Sequence, residues 1–473
     1  MSLIDYDKTV SQVDKAVTSA KQTFSGGVLR SRSVRSRLLR GLADALDSEA
    51  SELIVTADEE THLGAPRLTG EVARTTFQLR MFADLVDKKS LDNVLINEAV
   101  AGGPPAGHPF LIRDYEPLGP VAMFAASNFP FAFSVLGGDT ASALAAGCPV
   151  IVKGHPGHPR LSQKTAELAS KVVRAQKLPD GLFSLVKGDS IEVGQALVDH
   201  PNVAAVAFTG SVKGGGALWA QCNARAKPIP FFGELGSTNP IVVFEDALSK
   251  DSQALAETLA GSITLGCGQF CTSPGLVFLP EGSLGNQFKD YLVSALTKTS
   301  THAMLYSGIQ SHYDERLRQI DESGVRTLLR PREGCQAYVA EVDLETFVKN
   351  RSLQEEVFGS ACLLVRVKST EQICRGLLTV GGSLTVTLWG ASHPNEAARE
   401  ILKIARQIAG RILFNGVPTG VAVAAGQHHG GPFPASTMPA TTSVGPDAML
   451  RFLRPVCLQD APPWIQESLY AQE

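Results

Sequence analysis

The chain lacks most of the features that mark specialised protein classes. Its 8 cysteines in 473 residues are too sparse for a disulfide scaffold, and the expectation is a reducing, cytoplasmic compartment. Basic and acidic residues nearly balance, 43 against 47 for a net charge of -4, so neither nucleic acid nor an anionic membrane is expected as a partner. No charged n-region followed by an apolar core opens the chain, which argues against a secretory leader. The most apolar stretch, 121–138, is broken by Asn128 and Pro130 and reads as buried core rather than a membrane span. Internal repeats and low-complexity tails are missing as well.

What remains is an ordinary globular composition, 44% hydrophobic and 19% charged. The length calls for two or three domains, because single cores rarely grow past about 250–300 residues. Apolar residues at three- and four-residue spacing predict helices over 6–24, 33–48 and 70–86, and the turn-rich run 100–107 predicts a surface crossing. From residue 120 short apolar runs alternate with helical stretches. Strands are expected at 121–126, 149–152, 182–186, 203–208 and 229–232, with helices at 140–146, 161–176, 191–198 and 214–222. This is the rhythm of a doubly wound parallel sheet. A second α/β region follows from about residue 236, with helices at 252–265, 284–296 and 395–408 and strands at 275–279, 361–367 and 384–388.

Two groups suggest covalent catalysis. Cys271 sits in Gly266-Cys267-Gly268-Gln269-Phe270-Cys271-Thr272-Ser273, and Glu234 in Phe232-Gly233-Glu234-Leu235-Gly236. A thiol and a carboxylate, each flanked by glycines, supply a nucleophile and a base on backbone that a substrate can approach. Free cysteines are commonly small core residues, the reading for Cys148 and Cys362 in apolar strands, and for Cys271 both readings stay open. Cys267 lies four residues before Cys271, but no second pair follows at zinc-site spacing, so no metal is expected. His155 and His158 read as turn residues. After the strand at 203–208, Thr209-Gly210-Ser211-Val212-Lys213-Gly214-Gly215-Gly216 opens a helix whose N-terminus favours a phosphate, although the spacing is not the usual dinucleotide fingerprint. Lys153, at a strand end, could meet a ribose or simply be solvated.

Read in order, seven motifs resemble the aldehyde dehydrogenase superfamily over about residues 115–458. They are Pro117-Leu118-Gly119-Pro120-Val121, Ser127-Asn128-Phe129-Pro130, Val152-Lys153, Phe208-Thr209-Gly210-Ser211, Glu234-Leu235-Gly236, Gly268-Gln269-Phe270-Cys271-Thr272 and Glu355-Glu356-Val357-Phe358-Gly359. The resemblance implies Cys271 as nucleophile, Glu234 as base and Asn128 as oxyanion donor. It implies Lys153 and Glu356 at the cofactor riboses, Gly210, Ser211 and Gly215 near the pyrophosphate, Phe358 beside the nicotinamide, and Phe131 and Phe270 along the substrate tunnel. It further implies an α/β fold of two Rossmann-type domains plus a β-strand oligomerisation arm. Residues 1–108 and 119–235 would form the nucleotide-binding domain, 236–430 the catalytic domain, and 109–118 with 431–473 the bridging segments.

A narrower resemblance rests on 137–149, His155-Pro156-Gly157-His158-Pro159, Asn415-Gly416-Val417-Pro418-Thr419-Gly420-Val421, His429-Gly430-Gly431-Pro432 and 451–457. These look like the branch of 2-oxoglutarate semialdehyde (2,5-dioxopentanoate) dehydrogenases and an NADP-dependent fatty aldehyde dehydrogenase. The semialdehyde is the expected substrate and a medium- or long-chain aldehyde the alternative. A non-catalytic protein of the same fold would be expected to lose nucleophile, base or oxyanion donor, and all three are present. Two departures stand out. Pro156 occupies the position where many NAD-preferring members carry an acidic residue, so NADP is favoured over NAD. The region before residue 115 looks short. No histidine is expected to pair with Cys271. Alternating apolar and polar residues at 110–117 and 449–457 resemble the family's intersubunit arm, which implies a homodimer or a dimer of dimers.

Overall fold

From residue 121 onward apolar runs too short for helices alternate with amphipathic segments, and the computed structural model gathers them into two separate sheets. It describes residues 3–88, 94–103, 105–299, 302–332 and 337–465. Pro104 of the 100–107 turn, and the extremes of the 1–108 and 431–473 segments, lie outside them.

The first sheet has five parallel strands in the order Phe183–Val186, Val150–Lys153, Val121–Phe124, Ala205–Thr209 and Phe231–Glu234. Its helices Gly138–Ala146, Pro159–Ala175, Ile191–Asp199 and Val212–Ala224 fall where the periodicity places them. Because helices cover both faces, the central strand Val121–Phe124 is buried along its whole length, which explains its unbroken apolar run. The N-terminal helices Leu3–Ser25, Arg32–Ser48, Ala50–Thr61 and Ala65–Asp87 pack around this half. The Ala50–Thr61 helix is not expected from the sequence, where Leu53-Ile54-Val55 clusters instead of recurring at helical spacing.

The second sheet has seven strands, ordered Arg326–Leu329, Tyr338–Asp343, Ala361–Val367, Leu276–Pro280, Ile241–Val243, Ser383–Trp389 and Ala409–Phe414. Only the Arg326–Leu329 edge runs antiparallel. Four of these strands, Ile241–Val243, Arg326–Leu329, Tyr338–Asp343 and Ala409–Phe414, go beyond the sequence reading. Ile241–Val243, with three residues, is shorter than any run that signals a strand.

A third, antiparallel sheet pairs Leu111–Pro117 with Leu95–Asn97 on one side and Leu453–Gln459 on the other, Pro117 opposite Leu453 and Leu111 opposite Gln459. The two segments expected to form an arm therefore pair with each other inside one chain. Nearby, Arg451 Nη2 meets Asp139 Oδ1 at 2.6 Å with both side chains 4% exposed, tying the C-terminal region to the Gly138–Ala146 helix. Such a buried pair costs about 3–5 kcal/mol when one partner is removed. Among the described residues no helix is long and apolar enough to cross a membrane.

Candidate active site

Both sheets end at one place. Glu234 is the last residue of Phe231–Glu234, and its backbone is held by Gly210 N on its carbonyl and a bridge to Ser436. Cys271 follows a tight turn, Leu265–Gly268, in which Gly266, Cys267 and Gly268 all take positive φ. Gly268 is required there, because a Cβ would lie 2.3 Å from the carbonyl of Gly359. Asn239 fixes the nucleophile loop from the other side: its Nδ2 donates to the carbonyls of Cys271 at 2.8 Å and Ser273 at 2.9 Å.

Asn128 reaches the same loop, donating from Nδ2 to Gln269 O at 3.0 Å and leaving its second amide hydrogen for another acceptor. Arg67 holds Asn128 in turn by donating to its backbone carbonyl at 2.6 Å, its guanidinium lying over Phe129 and Phe270. Arg67 and Asn239 escape the sequence reading, since neither stands in a motif.

The sequence also gives no hint of a histidine at the nucleophile, and here the expectation fails. His429 is 2% exposed, and its Nε2 stands 3.6 Å from Cys271 Sγ and 3.0 Å from Glu234 Oε1. The far carboxylate oxygen, Oε2, accepts from Ser443 Oγ at 2.7 Å. Burial pushes the Cys271 thiol well above the ordinary range and the adjacent Glu234 charge pushes the same way, while Arg74 opposes them. For Glu234, burial pulls upward, but the charge and hydrogen bond of His429 together with Ser443 outweigh it, leaving the carboxyl below its ordinary value. A half-buried thiol thus faces an imidazole backed by a carboxylate, the arrangement that accepts a thiol proton. Glu234, Cys271 and His429 each offer one ligand-type atom within 4.8 Å of the others.

The other predicted residues sort cleanly. Ser211 caps Val212–Ala224, its Oγ accepting from Gly214 N at 3.1 Å. A Cβ on Gly215 would lie 2.3 Å from Leu235 Cδ2, so this glycine lets the helix pack against the end of the Glu234 strand, whereas one on Gly216 would meet nothing within 4 Å. Exposed helix N-terminal backbone of this kind fits a phosphate. Lys153 ends Val150–Lys153 half-buried, its pKa lowered by burial against the opposing pull of Asp189. Glu356 is half-buried beside Gly236, where burial pushes its carboxyl up to about 8, and Phe358 is half-buried two residues on. These groups are of the kind a nicotinamide dinucleotide needs: an open helix N-terminus for a phosphate, and a lysine and a carboxyl for hydroxyl groups.

Of the two tunnel aromatics, Phe270 packs beside Phe129 with ring centres 5.3 Å apart. Phe131 is 2% exposed within the core under the Ala65–Asp87 helix. Phe133, not Phe131, faces His429. His158 is buried and bound to Ala126 O and Ser162 Oγ, and Cys267 donates to His302 O at 2.8 Å from a fully buried position. Cys148 and Cys362, pushed up to about 11 and about 12 by burial, are core thiols.

A model of the aldehyde dehydrogenase family matches residues 5–432. The chain belongs to that family. It is 42% identical over 462 residues to alpha-ketoglutaric semialdehyde dehydrogenase 2 of Azospirillum brasilense, covering 96% of this chain and 87% of the relative. It is 36% identical over 459 residues to the alpha-ketoglutaric semialdehyde dehydrogenase of Acinetobacter baylyi, with the same coverage. Among solved structures, an NAD-dependent aldehyde dehydrogenase from Sinorhizobium meliloti superposes with a TM-score of 0.79 at 25% identity, over 96% of this chain and 88% of that one. As an aldehyde dehydrogenase the protein oxidises an aldehyde with NAD(P). A thiol, an imidazole–carboxylate pair and an amide side chain lie together around the Cys271 loop.

Proposed function

We propose that the protein oxidises 2-oxoglutarate semialdehyde (2,5-dioxopentanoate) to 2-oxoglutarate, with NADP preferred over NAD. The observation that carries the reaction is the contact of Cys271 with His429 and Glu234; the substrate rests on the two relatives that bear its name. Residues 1–108 and 119–235 form the nucleotide-binding domain and 236–430 the catalytic domain.

Cys271 Sγ bonds to the aldehyde carbon while its proton passes to His429 Nε2, and Glu234 stabilises the imidazolium. The new oxyanion takes hydrogen bonds from Asn128 Nδ2 and the Cys271 backbone N–H, each worth about 3–4 kcal/mol in comparable sites. Bound NAD(P) supplies the acceptor for the hydride of the aldehyde carbon, which leaves a thioester on Cys271. Glu234 then takes a proton from water as the water oxygen attacks the acyl carbon; the C–S bond breaks and the leaving thiolate takes back the proton held on His429 Nε2. Lys153, Glu356, Ser211, Gly210 and Gly215 would hold the dinucleotide, and Phe358 would position its nicotinamide.

Pro156 supports the cofactor preference: it is exposed just after Lys153, where no carboxylate would repel a 2′-phosphate. The protein works in the cytoplasm as a homodimer or a dimer of dimers. Leu453–Gln459 is one edge of the three-stranded sheet, Leu95–Asn97 being the other, and an open edge calls for a partner strand. Light scattering giving the mass of one 50.2 kDa chain would contradict the assembly. An aldehyde panel read by reduced-cofactor absorbance, with NAD and NADP in parallel, tests the rest. The semialdehyde should give the highest kcat/KM; a higher value for decanal would move the assignment to long-chain aldehydes.

A further inference from the structure

Near the nucleophile one guanidinium keeps two donors unused. Arg67, Glu71 and Arg74 recur at four- and three-residue spacing along the Ala65–Asp87 helix and so share a face. Glu71 Oε1 accepts from the backbone N–H groups of Phe131 and Ala132 at 2.8 and 3.0 Å. Arg74 donates through Nη1 to Val421 O at 2.5 Å. Its Nε and Nη2, which lie along one edge of the guanidinium, are buried without a partner, and it is the one arginine among the described residues with two such nitrogens.

Arg74 lies within electrostatic reach of Cys271, Glu71 and Glu234. Its Cζ stands 5.7 Å from the ring centre of Phe133, whose ring lies 6.4 Å from that of His429. A second guanidinium approaches from the Ala409–Phe414 strand. Arg411 donates to Gly420 O at 3.0 Å and Pro418 O at 2.6 Å, has a buried Nε without a partner, and also feels Cys271. Backbone carbonyls of the short run 418–421 therefore hold both arginines in place, which gives that run a purpose the reaction itself does not.

Buried charged donors without acceptors are costly, and native sites that keep them commonly meet a ligand there. Parallel N–H groups along a guanidinium edge match the two oxygens of a carboxylate. We propose that Arg74, with Arg411 held by the same 418–421 run, binds the distal carboxylate of the semialdehyde and so selects acidic aldehydes over neutral ones. This rests on the semialdehyde reading above and adds the group that enforces it. A neutral chain in the same place would leave the Arg74 edge unpaired, and a site built to pair a polar group discriminates strongly against an analogue that lacks it.

The test is the ratio of kcat/KM for 2,5-dioxopentanoate to that for pentanal, in the wild type, Arg74→Gln and Arg74→Lys. The ratio also cancels any effect of the Arg74 charge on Cys271, which acts on both aldehydes. Arg74→Gln should lower the ratio by about 100-fold, mainly through KM for the acid, and Arg74→Lys, which keeps the charge but loses the paired edge, by about tenfold. If Arg74→Gln does not fold, Arg74→Lys decides by the same ratio. A high wild-type ratio that survives both substitutions, or equal loss on both aldehydes, overturns the carboxylate subsite alone. A wild-type ratio near one overturns the semialdehyde reading and the subsite with it.

Discussion

Replacing His429 by glutamine isolates the proton transfer that starts the reaction. Glutamine keeps a polar side chain near Glu234 and Cys271 but cannot carry a proton. An ordinary thiol is only a few per cent ionised near neutral pH, and Cys271 lies higher because of burial and the Glu234 charge. Attack therefore depends on a base in contact with Sγ, and His429 Nε2 at 3.6 Å is that base. General bases contribute about 10²–10⁴ in rate. Glu234 also hydrogen-bonds Cys271 and remains as a poorer acceptor, which places the loss in the lower half of that range. The expected fall is about 10²–10³ in the acylation rate, or about 3–4 kcal/mol at 1.36 kcal/mol per decade. Single-turnover stopped-flow, with enzyme and NADP in excess over substrate, should show the full amount of reduced cofactor formed at a reduced rate, together with slower alkylation by iodoacetamide. A single-turnover rate within threefold of the wild type, with unchanged alkylation, would refute the assignment.

Glu234→Gln should slow both phases but unequally, steady turnover far more than the burst, because His429 can still take the thiol proton while water activation depends on Glu234 directly; equal loss of both phases would make Glu234 an activator of the thiol only. Pro156→Glu should raise KM for NADP at least about tenfold by repulsion of the 2′-phosphate while sparing NAD, as initial rates with each cofactor would show; unchanged discrimination contradicts the cofactor reading. The folded chain holds the Glu356 proton up to about pH 8, whereas an ordinary glutamate has released it above about 4.5. Stability of the cofactor-free protein should accordingly fall as pH rises through that window, and Glu356→Gln should flatten the slope. Thermal melts from pH 5 to 8.5 check this, and parallel curves for the two proteins would count against it.

What the sequence discloses depends on how local each signal is. The Ala361–Val367 strand is read to the residue because six of its seven residues, all but Arg366, are apolar. Cys271 and Glu234 stand out because flanking glycines mark them, and their chemistry makes a pair even without coordinates. His429 also stands before two glycines, but nothing local ties it to a thiol. Its two partners stand 158 and 195 residues away, and His429-Gly430-Gly431-Pro432 says only that the chain turns. Arg67 and Arg74 are likewise hidden, because a charged residue on a helix is usually solvated, and only the fold turns this face of Ala65–Asp87 inward. The alternation at 110–115 signals a strand, but which strand pairs with it is a matter of contacts more than 300 residues apart, Leu111 with Gln459 being one.

The covalent intermediate on Cys271 can be observed directly. Glu234→Gln protein, mixed with 2,5-dioxopentanoate and NADP and quenched in acid, should show by intact mass the addition of one acyl group. Peptide mapping should then place it on Cys271, with an equal amount of reduced cofactor formed. Reduced cofactor without any adduct, or an adduct on Cys267, would contradict the account.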